Sequence, residues 1–297
     1  MENLNTVQDF IRWTTSRMCQ SDIYLGHGTD NPIDEAKQLI LATLGLSLFI
    51  PPEFYAANLT NDEKQQLFDI IQKRIVDRVP TPYLTNQAWF CGHRFYIDER
   101  VLIPRSPIGE LISDNFQELL SCNPKNILDL CTGSGCIGIA CAYAFPEAQI
   151  DITDISLEAL DVAQTNIDLH EMTYQVTPIL SDLFNSMPVK QYDLIVSNPP
   201  YVDDEDMSDL PDEFLYEPKL ALEAGLDGLD IVKRILLDAI NYLTPHGVLV
   251  CEVGNSWVSL QEQYPDVPFN WIQFENGGHG VFSLTCEELI KYRYCFE

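Results

Sequence analysis

An apolar run, Tyr192-Asp193-Leu194-Ile195-Val196, stops abruptly at Ser197-Asn198-Pro199-Pro200-Tyr201. The run has the length and composition of a strand enclosed in a sheet. Neither proline can donate to a sheet ladder, so the strand must end there in a stiff corner. The corner carries carbonyls with no neighbouring N–H, Asn198 adds a side-chain carbonyl, and Tyr201 adds a flat ring. Two acceptors beside a stacking face suit a planar group bearing an NH2, such as an amide or an exocyclic amine. In open α/β sheets ligands bind at the carboxyl ends of strands, where this corner falls. A strand-ending turn without a ligand would have the same local sequence, so the reading needs support from the rest of the chain.

From residue 126 onward, short apolar runs alternate with amphipathic stretches. Strands are expected over 126–131, 149–153, 175–179, 192–196 and 247–253, and helices over 135–145, 156–170 and 227–243. Stretches near 271–274 and 280–285 read as a closing hairpin. Alternation of this kind predicts a parallel sheet with helices on both faces. The first 80 residues look different. Val7, Phe10, Ile11 and Met18 share a helix face, Asn31-Pro32 is an N-cap followed by proline, and Thr60-x-x-Glu63 is a capping box. Pro80-Thr81-Pro82-Tyr83-Leu84 should end the helices. Residues 88–103 then alternate around Gly92 and Asp98, as a hairpin of Trp89-Phe90, Phe95-Tyr96-Ile97 and Val101-Leu102-Ile103 would. Ser106 and Pro107 should open a helix with Ile108, Leu111, Ile112, Phe116, Leu119 and Leu120 on one face. The expected organisation is a helical substrate-recognition domain over 1–84, a β-hairpin linker over 85–104, and an α/β domain over 105–297.

The first strand of the α/β part leads into Asp129-Leu130-Cys131-Thr132-Gly133-Ser134-Gly135-Cys136-Ile137-Gly138. Its glycines permit a tight turn, a close backbone approach to a ligand, and helix-on-strand packing. The Gly-x-Gly-x-x-Gly spacing alone is a weak dinucleotide signal. Three acids point elsewhere. Asp129 precedes the loop, where it would repel a pyrophosphate. Asp154 ends the next strand and can accept from two ribose hydroxyls, and Asp182 follows another strand and can accept from an adenine amine. Acids around an amino group, a ribose and an adenine fit S-adenosylmethionine, which carries a sulfonium and an ammonium but no phosphate. Each acid alone could be ordinary strand-end turn chemistry.

Seventeen Lys and Arg against 45 Asp and Glu leave a net charge of −28. That field repels phosphate backbones and argues against direct nucleic-acid binding. It would speed encounter with a basic protein. The acids concentrate at 203–217, which contains Asp203, Asp204, Glu205, Asp206, Asp209, Asp212, Glu213 and Glu217 and no Lys or Arg. Such a run is usually a solvated face, but here it directly follows the diproline corner. Nine cysteines lack any Cys-x-x-Cys, and no histidine sits at zinc-ligand spacing, so no metal site is expected. Reduced thiols in a cytoplasmic protein are the expectation. No stretch is apolar enough to be a signal peptide or to span a bilayer. Nothing in the pattern selects an oligomeric state.

Taken with Asn198-Pro199-Pro200-Tyr201, the Asp-x-Cys-x-Gly-Ser-Gly loop resembles the class I methyltransferases that modify the side-chain amide of glutamine in proteins. The likeness extends to the helical start, the stretch from Phe90 to Arg105, and Glu217-Pro218 through Asp227-Gly228-Leu229. One branch of that family modifies release factors at a Gly-Gly-Gln loop. Ile103-Pro104-Arg105-Ser106-Pro107-Ile108-Gly109-Glu110-Leu111, Asp206-Met207-Ser208-Asp209-Leu210-Pro211 and Cys251-Glu252-Val253-Gly254-Asn255-Ser256 look like the other branch, which acts on the third protein of the large ribosomal subunit. The resemblance implies a Rossmann-like seven-stranded sheet with its last strand antiparallel. It implies Asp129, Cys131, Thr132, Gly133, Gly135, Asp154, Ile155, Asp182, Leu183 and Asn198 as cofactor contacts. Asn198, Pro199 and Tyr201 would be catalytic, and with Pro200 they would hold the substrate. In the family, the position of Asn198 accepts one amide N–H and the Pro199 carbonyl the other. Three competing readings share some of these features. They are a methyltransferase acting on adenine amines of nucleic acid, a nicotinamide dehydrogenase, and a non-catalytic ribosome-assembly factor.

Overall fold

The helix starts read from the first 80 residues are all present in the computed structural model, which describes residues 4–297. Thr6 accepts from the Asp9 N–H and opens a helix over Val7–Cys19. Asn31 accepts from the Asp34 N–H, and Pro32 begins Pro32–Thr43. Thr60 and Glu63 form their reciprocal box before Asn61–Ile75. Phe10, Met18, Leu39, Ile40, Leu67 and Ile71 are buried together in this part. One expectation fails: Thr81–Thr85 is itself a helical turn, with Pro82 in its first turn, where a missing N–H costs nothing.

The chain divides into two compact units. The helical unit takes in the chain up to Ala88, together with Ile97–Glu99 and Pro211–Glu217. The last piece corrects the picture of the acidic run as a continuous solvated face. Glu213 is fully buried, and its Oε1 accepts from Arg74 Nη1 at 3.2 Å. Arg74 is also buried, donating from Nε to Glu35 Oε1 at 2.7 Å and from Nη2 to the Tyr24 carbonyl at 2.7 Å. The Thr81 hydroxyl donates to the same Glu35 oxygen at 2.7 Å. Glu217 is buried 3.8 Å from the enclosed ring of His27, and Phe214, Tyr24 and His27 pack against one another. Burying Arg74 with Glu35 and Glu213 is tolerable because the guanidinium is paired with and hydrogen-bonded to both carboxylates.

The second unit comprises Trp89–Tyr96, Arg100–Leu210 and Pro218–Glu297. A hairpin joins β1 (Ala88–Phe90) to β2 (His93–Phe95) through Cys91 and Gly92, both at positive φ. The expected third segment, Val101–Ile103, is irregular chain. The main sheet contains β3 (Asn126–Leu130), β4 (Gln149–Asp154), β5 (Val176–Leu180), β6 (Tyr192–Ser197), β7 (Leu243–Glu252), β8 (Asn270–Trp271) and β9 (Val281–Thr285). Their order is β5-β4-β3-β6-β7-β9-β8. β3 to β7 are parallel, and β9 runs antiparallel to both β7 and β8. This is the seven-stranded arrangement, with its last strand antiparallel, that the resemblance implies.

Strand order reverses between β3 and β6, which lie side by side with Leu128 opposite Ile195 and Leu130 opposite Ser197. Such a switch point opens a crevice at the carboxyl ends of the strands. Helices over Cys136–Ala144, Leu157–Leu169 and Asp230–Asp238 accompany the sheet. Leu128, Leu130, Ile195, Val232, Ile235, Leu249 and Phe282 share one core. The helix expected from 106 to 120 covers only Ile108–Ser113, because Asn115 and Phe116 adopt left-handed φ of 53° and 51°. None of the described helices is long and apolar enough to cross a membrane.

Candidate active site

β3 delivers the chain into a turn built by three left-handed residues: Cys131 at φ 58°, Gly133 at 54° and Gly135 at 80°. Gly135 begins the helix Cys136–Ala144. At Gly138 a Cβ would lie 2.4 Å from Ile152 Cγ2, so a glycine there is what lets the helix rest on β4. At Gly133 a Cβ would meet nothing within 4 Å, since that residue faces open space.

Asp129 sits beneath this loop. It is fully buried, and its Oδ2 accepts from the Thr132 hydroxyl and from the Gly138 N–H at 2.9 Å. Burial pushes its pKa up to about 7, against the pull of those two hydrogen bonds. Its Oδ1 has no protein partner. Asp154, at the end of β4, accepts from the Gly133 N–H through Oδ2 and the Ser156 N–H through Oδ1, each at 2.9 Å. Burial raises its pKa as well, while the backbone donors oppose the rise. Asp182 follows β5, and its Oδ2 takes Arg234 Nη2 at 2.7 Å and Asn185 Nδ2 at 3.1 Å.

The diproline corner follows β6 directly. Ser197 ties this end to β3 by donating to the Leu130 carbonyl at 3.0 Å. Asn198 and Pro200 are half-buried, and Pro199 is buried. Asn198 Oδ1 is shielded from water and has no hydrogen-bond partner within the protein. A buried acceptor left unpaired costs about 1–3 kcal/mol, so it calls for an explanation. The Tyr201 hydroxyl donates to Glu252 Oε1 at 2.8 Å.

Of the residues expected to touch ligands, Cys131, Thr132, Gly133, Asp154, Ile155, Asp182, Leu183, Asn198 and Pro200 line a single cavity at the switch point. Asp129, Gly135, Pro199 and Tyr201 are not on its wall. The same cavity is lined by residues that the sequence reading passed over. Arg100 and Leu102 come from the stretch treated as linker, Arg105 and Ser106 from the start of the expected α/β domain, and Pro218, Glu223 and Arg234 from beyond the acidic run. The Pro104-Arg105-Ser106-Pro107 motif was a usable signal for the first two pairs. In the last group Pro218 and Glu223 fall within the stretch from Glu217 to Leu229 that carries part of the resemblance, while nothing local marks Arg234. The wall therefore combines carboxylates, arginines and exposed apolar side chains such as Ile155 around one unpaired carboxamide oxygen. Such a wall can accept from hydroxyls and amines, oppose an anion, and pack on a flat ring.

Comparisons with known proteins fit this geometry. Residues 110–227 match the Methyltransferase small domain family. The "Ribosomal protein uL3 glutamine methyltransferase" of Francisella tularensis subsp. tularensis (strain SCHU S4 / Schu 4) is 48% identical over 299 residues, spanning 100% of this chain and 95% of that protein. The protein of the same name from Neisseria gonorrhoeae (strain ATCC 700825 / FA 1090) is 45% identical over 291 residues, with 97% of each chain covered. Among solved structures, the hMettl16 catalytic domain in complex with MAT2A 3'UTR hairpin 1 superposes with a TM-score of 0.51 at 16% identity, over 80% of this chain and 84% of that one. That last likeness concerns the fold alone.

Proposed function

The chain belongs to the family of ribosomal protein uL3 glutamine methyltransferases, and we propose that it methylates the side-chain amide nitrogen of a glutamine in uL3, using S-adenosylmethionine. The observation that carries this reading is the unpaired Asn198 Oδ1 on the wall of the cavity, beside two prolines. A primary amide offers two N–H donors in one plane, which is what such a corner lacks.

The residues present fit the methyl donor. S-adenosylmethionine supplies an electrophilic methyl group on a cationic sulfur. Asp154 would accept from its ribose hydroxyls, Ile155 and Leu183 would flank its base, and Asp182 would accept from its amine. Gly133, with no side chain facing the open space, lets the backbone of the loop approach it. Asp129 would act through the loop it shapes, holding Thr132 and Gly138 in place.

An amide nitrogen is a poor nucleophile because its lone pair is shared with the carbonyl. Asn198 Oδ1 would accept one N–H and the Pro199 carbonyl the other. Both bonds push electron density toward nitrogen and fix its direction, while Tyr201 restrains the amide plane. Once methylated, the nitrogen loses its proton readily to water, so no strong base is required. Positioning and fixed dipoles then supply most of the acceleration.

Substrate recognition is assigned to the helical unit and to the exposed acids of the segment after the corner. Asp204, Glu205 and Asp209 are exposed in the helix Asp204–Asp209, with Asp203 and Asp206 half-buried beside and within it. Their charge and the net −28 favour a basic ribosomal protein over a polyanion. A ribosomal protein as substrate puts the reaction in the cytoplasm. The test is purified uL3, with a release factor as comparison, incubated with S-adenosylmethionine and sequenced by fragmentation mass spectrometry. One methylated glutamine in uL3 is expected, and Asn198→Ala should slow its formation by about 10²–10³. Preferred methylation of the release factor, or near-normal rates in the variant, would overturn the reading.

A further inference from the structure

We infer that Glu252 is a positioning residue for this reaction: it fixes the ring of Tyr201 beside the catalytic corner by holding the Tyr201 hydroxyl. The inference rests on the proposed role of Asn198 to Tyr201 in holding the substrate amide. Glu252 is the last residue of β7, one past Cys251, which is paired with Ser197 at the start of the corner. Its carboxylate is buried and accepts two hydroxyl donors, Tyr201 at Oε1 (2.8 Å) and Ser106 at Oε2 (2.5 Å). Burial raises its pKa, and the Ser106 and Tyr201 hydrogen bonds with the nearby Arg105 charge oppose that. An acid accepting from two hydroxyls is held in one orientation and holds both of them in turn.

The rest of Tyr201 is confined just as closely. The Ser256 hydroxyl donates to its carbonyl at 2.8 Å. At Gly254 (φ 47°) a Cβ would lie 2.5 Å from the Tyr201 ring, and at Gly228 (φ 69°) it would lie 2.3 Å from the Tyr201 carbonyl oxygen. Two left-handed glycines, a serine and a buried acid thus converge on one tyrosine. A ring that only filled space would need no buried carboxylate, whose desolvation is costly. A ring that must lie flat against an amide does need its tip anchored.

Three variants test this: Tyr201→Phe, Glu252→Ala and their combination, each assayed for kcat on uL3 per S-adenosylmethionine-binding site. Tyr201→Phe keeps the ring and its packing, so it remains informative if Glu252→Ala does not fold. Each single variant should lose about tenfold in kcat with cofactor affinity unchanged, and the double variant should lose no more than the worse single. Glu252→Gln, which can still accept from a hydroxyl, should recover most of the loss. Losses that multiply, or a Tyr201→Phe kcat within about twofold of wild type, would overturn the inference. A second readout does not depend on the substrate. With fluorotyrosine incorporated, the Tyr201 fluorine resonance should be single in the wild type and shifted or broadened in Glu252→Ala, and an unchanged resonance would also overturn it. If the wild type leaves uL3 unmodified while that resonance responds, the substrate reading fails and the anchoring stands.

Discussion

Asp129 is a buried acid whose titration should make folding depend on pH. Its carboxyl is fully enclosed, and burial takes its pKa from 3.8 to about 7. In the unfolded chain the same acid is solvated and keeps its ordinary value. A pKa raised by folding means that the folded state holds the proton more tightly. The corresponding stability is complete below about pH 3.8 and is lost as the pH rises through about 7. The gap between 3.8 and about 7, at ~1.36 kcal/mol per unit, amounts to roughly 4 kcal/mol. That is a large fraction of a typical ~5–15 kcal/mol folding free energy. The assay is urea unfolding of wild type and Asp129→Asn at intervals from roughly pH 5 to 8.5, a range spanning the loss. Asparagine cannot titrate, so subtracting the two profiles removes the contribution of every other acid. The wild-type minus variant difference should fall by about 1.4 kcal/mol per pH unit up to about pH 7 and then level off. A flat difference across that range would refute the argument that burial dominates over the Thr132 and Gly138 hydrogen bonds.

Other perturbations have equally definite outcomes. Gly138→Ala drives a methyl into Ile152 and should cost about 1–3 kcal/mol in urea unfolding. Arg74→Met leaves Glu35 and Glu213 buried without their guanidinium and should cost about 3–5 kcal/mol, read as a lowered unfolding midpoint. Asp154→Ala should weaken S-adenosylmethionine binding in calorimetry by about tenfold to a hundredfold, from the ~1.5–3 kcal/mol that hydrogen bonds to a charged acceptor contribute. Unchanged affinity would remove Asp154 from the cofactor site.

Much of this arrangement is legible before any coordinates, and the reasons are physical. β6 and its diproline corner can be read because an apolar run must be enclosed and two prolines must end it. The Asp129–Gly138 loop can be read because only glycine fits where Gly138 meets Ile152. The helix starts can be read because Asn31 and Thr60 cap through their own side chains. What escapes is whatever depends on partners far along the chain. Ser106 was expected to cap a helix, and it does accept the Ile108 N–H, but its hydroxyl proton goes to Glu252, 146 positions away. Glu213 resembles its exposed acidic neighbours until Arg74 is found beside it. The truncated helix at Ile108–Ser113 escapes because left-handed φ at Asn115 and Phe116 falls on residues with no glycine to announce it. Val101 and Ile103 alternate like a strand because both are buried, yet neither lies in a ladder.

The discontinuous make-up of the helical unit limits how a gene for this protein can be rearranged. Pro211–Glu217 belongs with the first 88 residues, where Glu213 meets Arg74 and Phe214 meets Tyr24 and His27. A chain started after Ala88 would keep an acid and an aromatic ring whose hosts had been deleted. A chain stopped there would keep an arginine without one of its two counter-ions. The amino-terminal helices are therefore no cassette that recombination can swap between catalytic cores. A grafted replacement has to bring its own match for a heptapeptide encoded more than a hundred codons downstream.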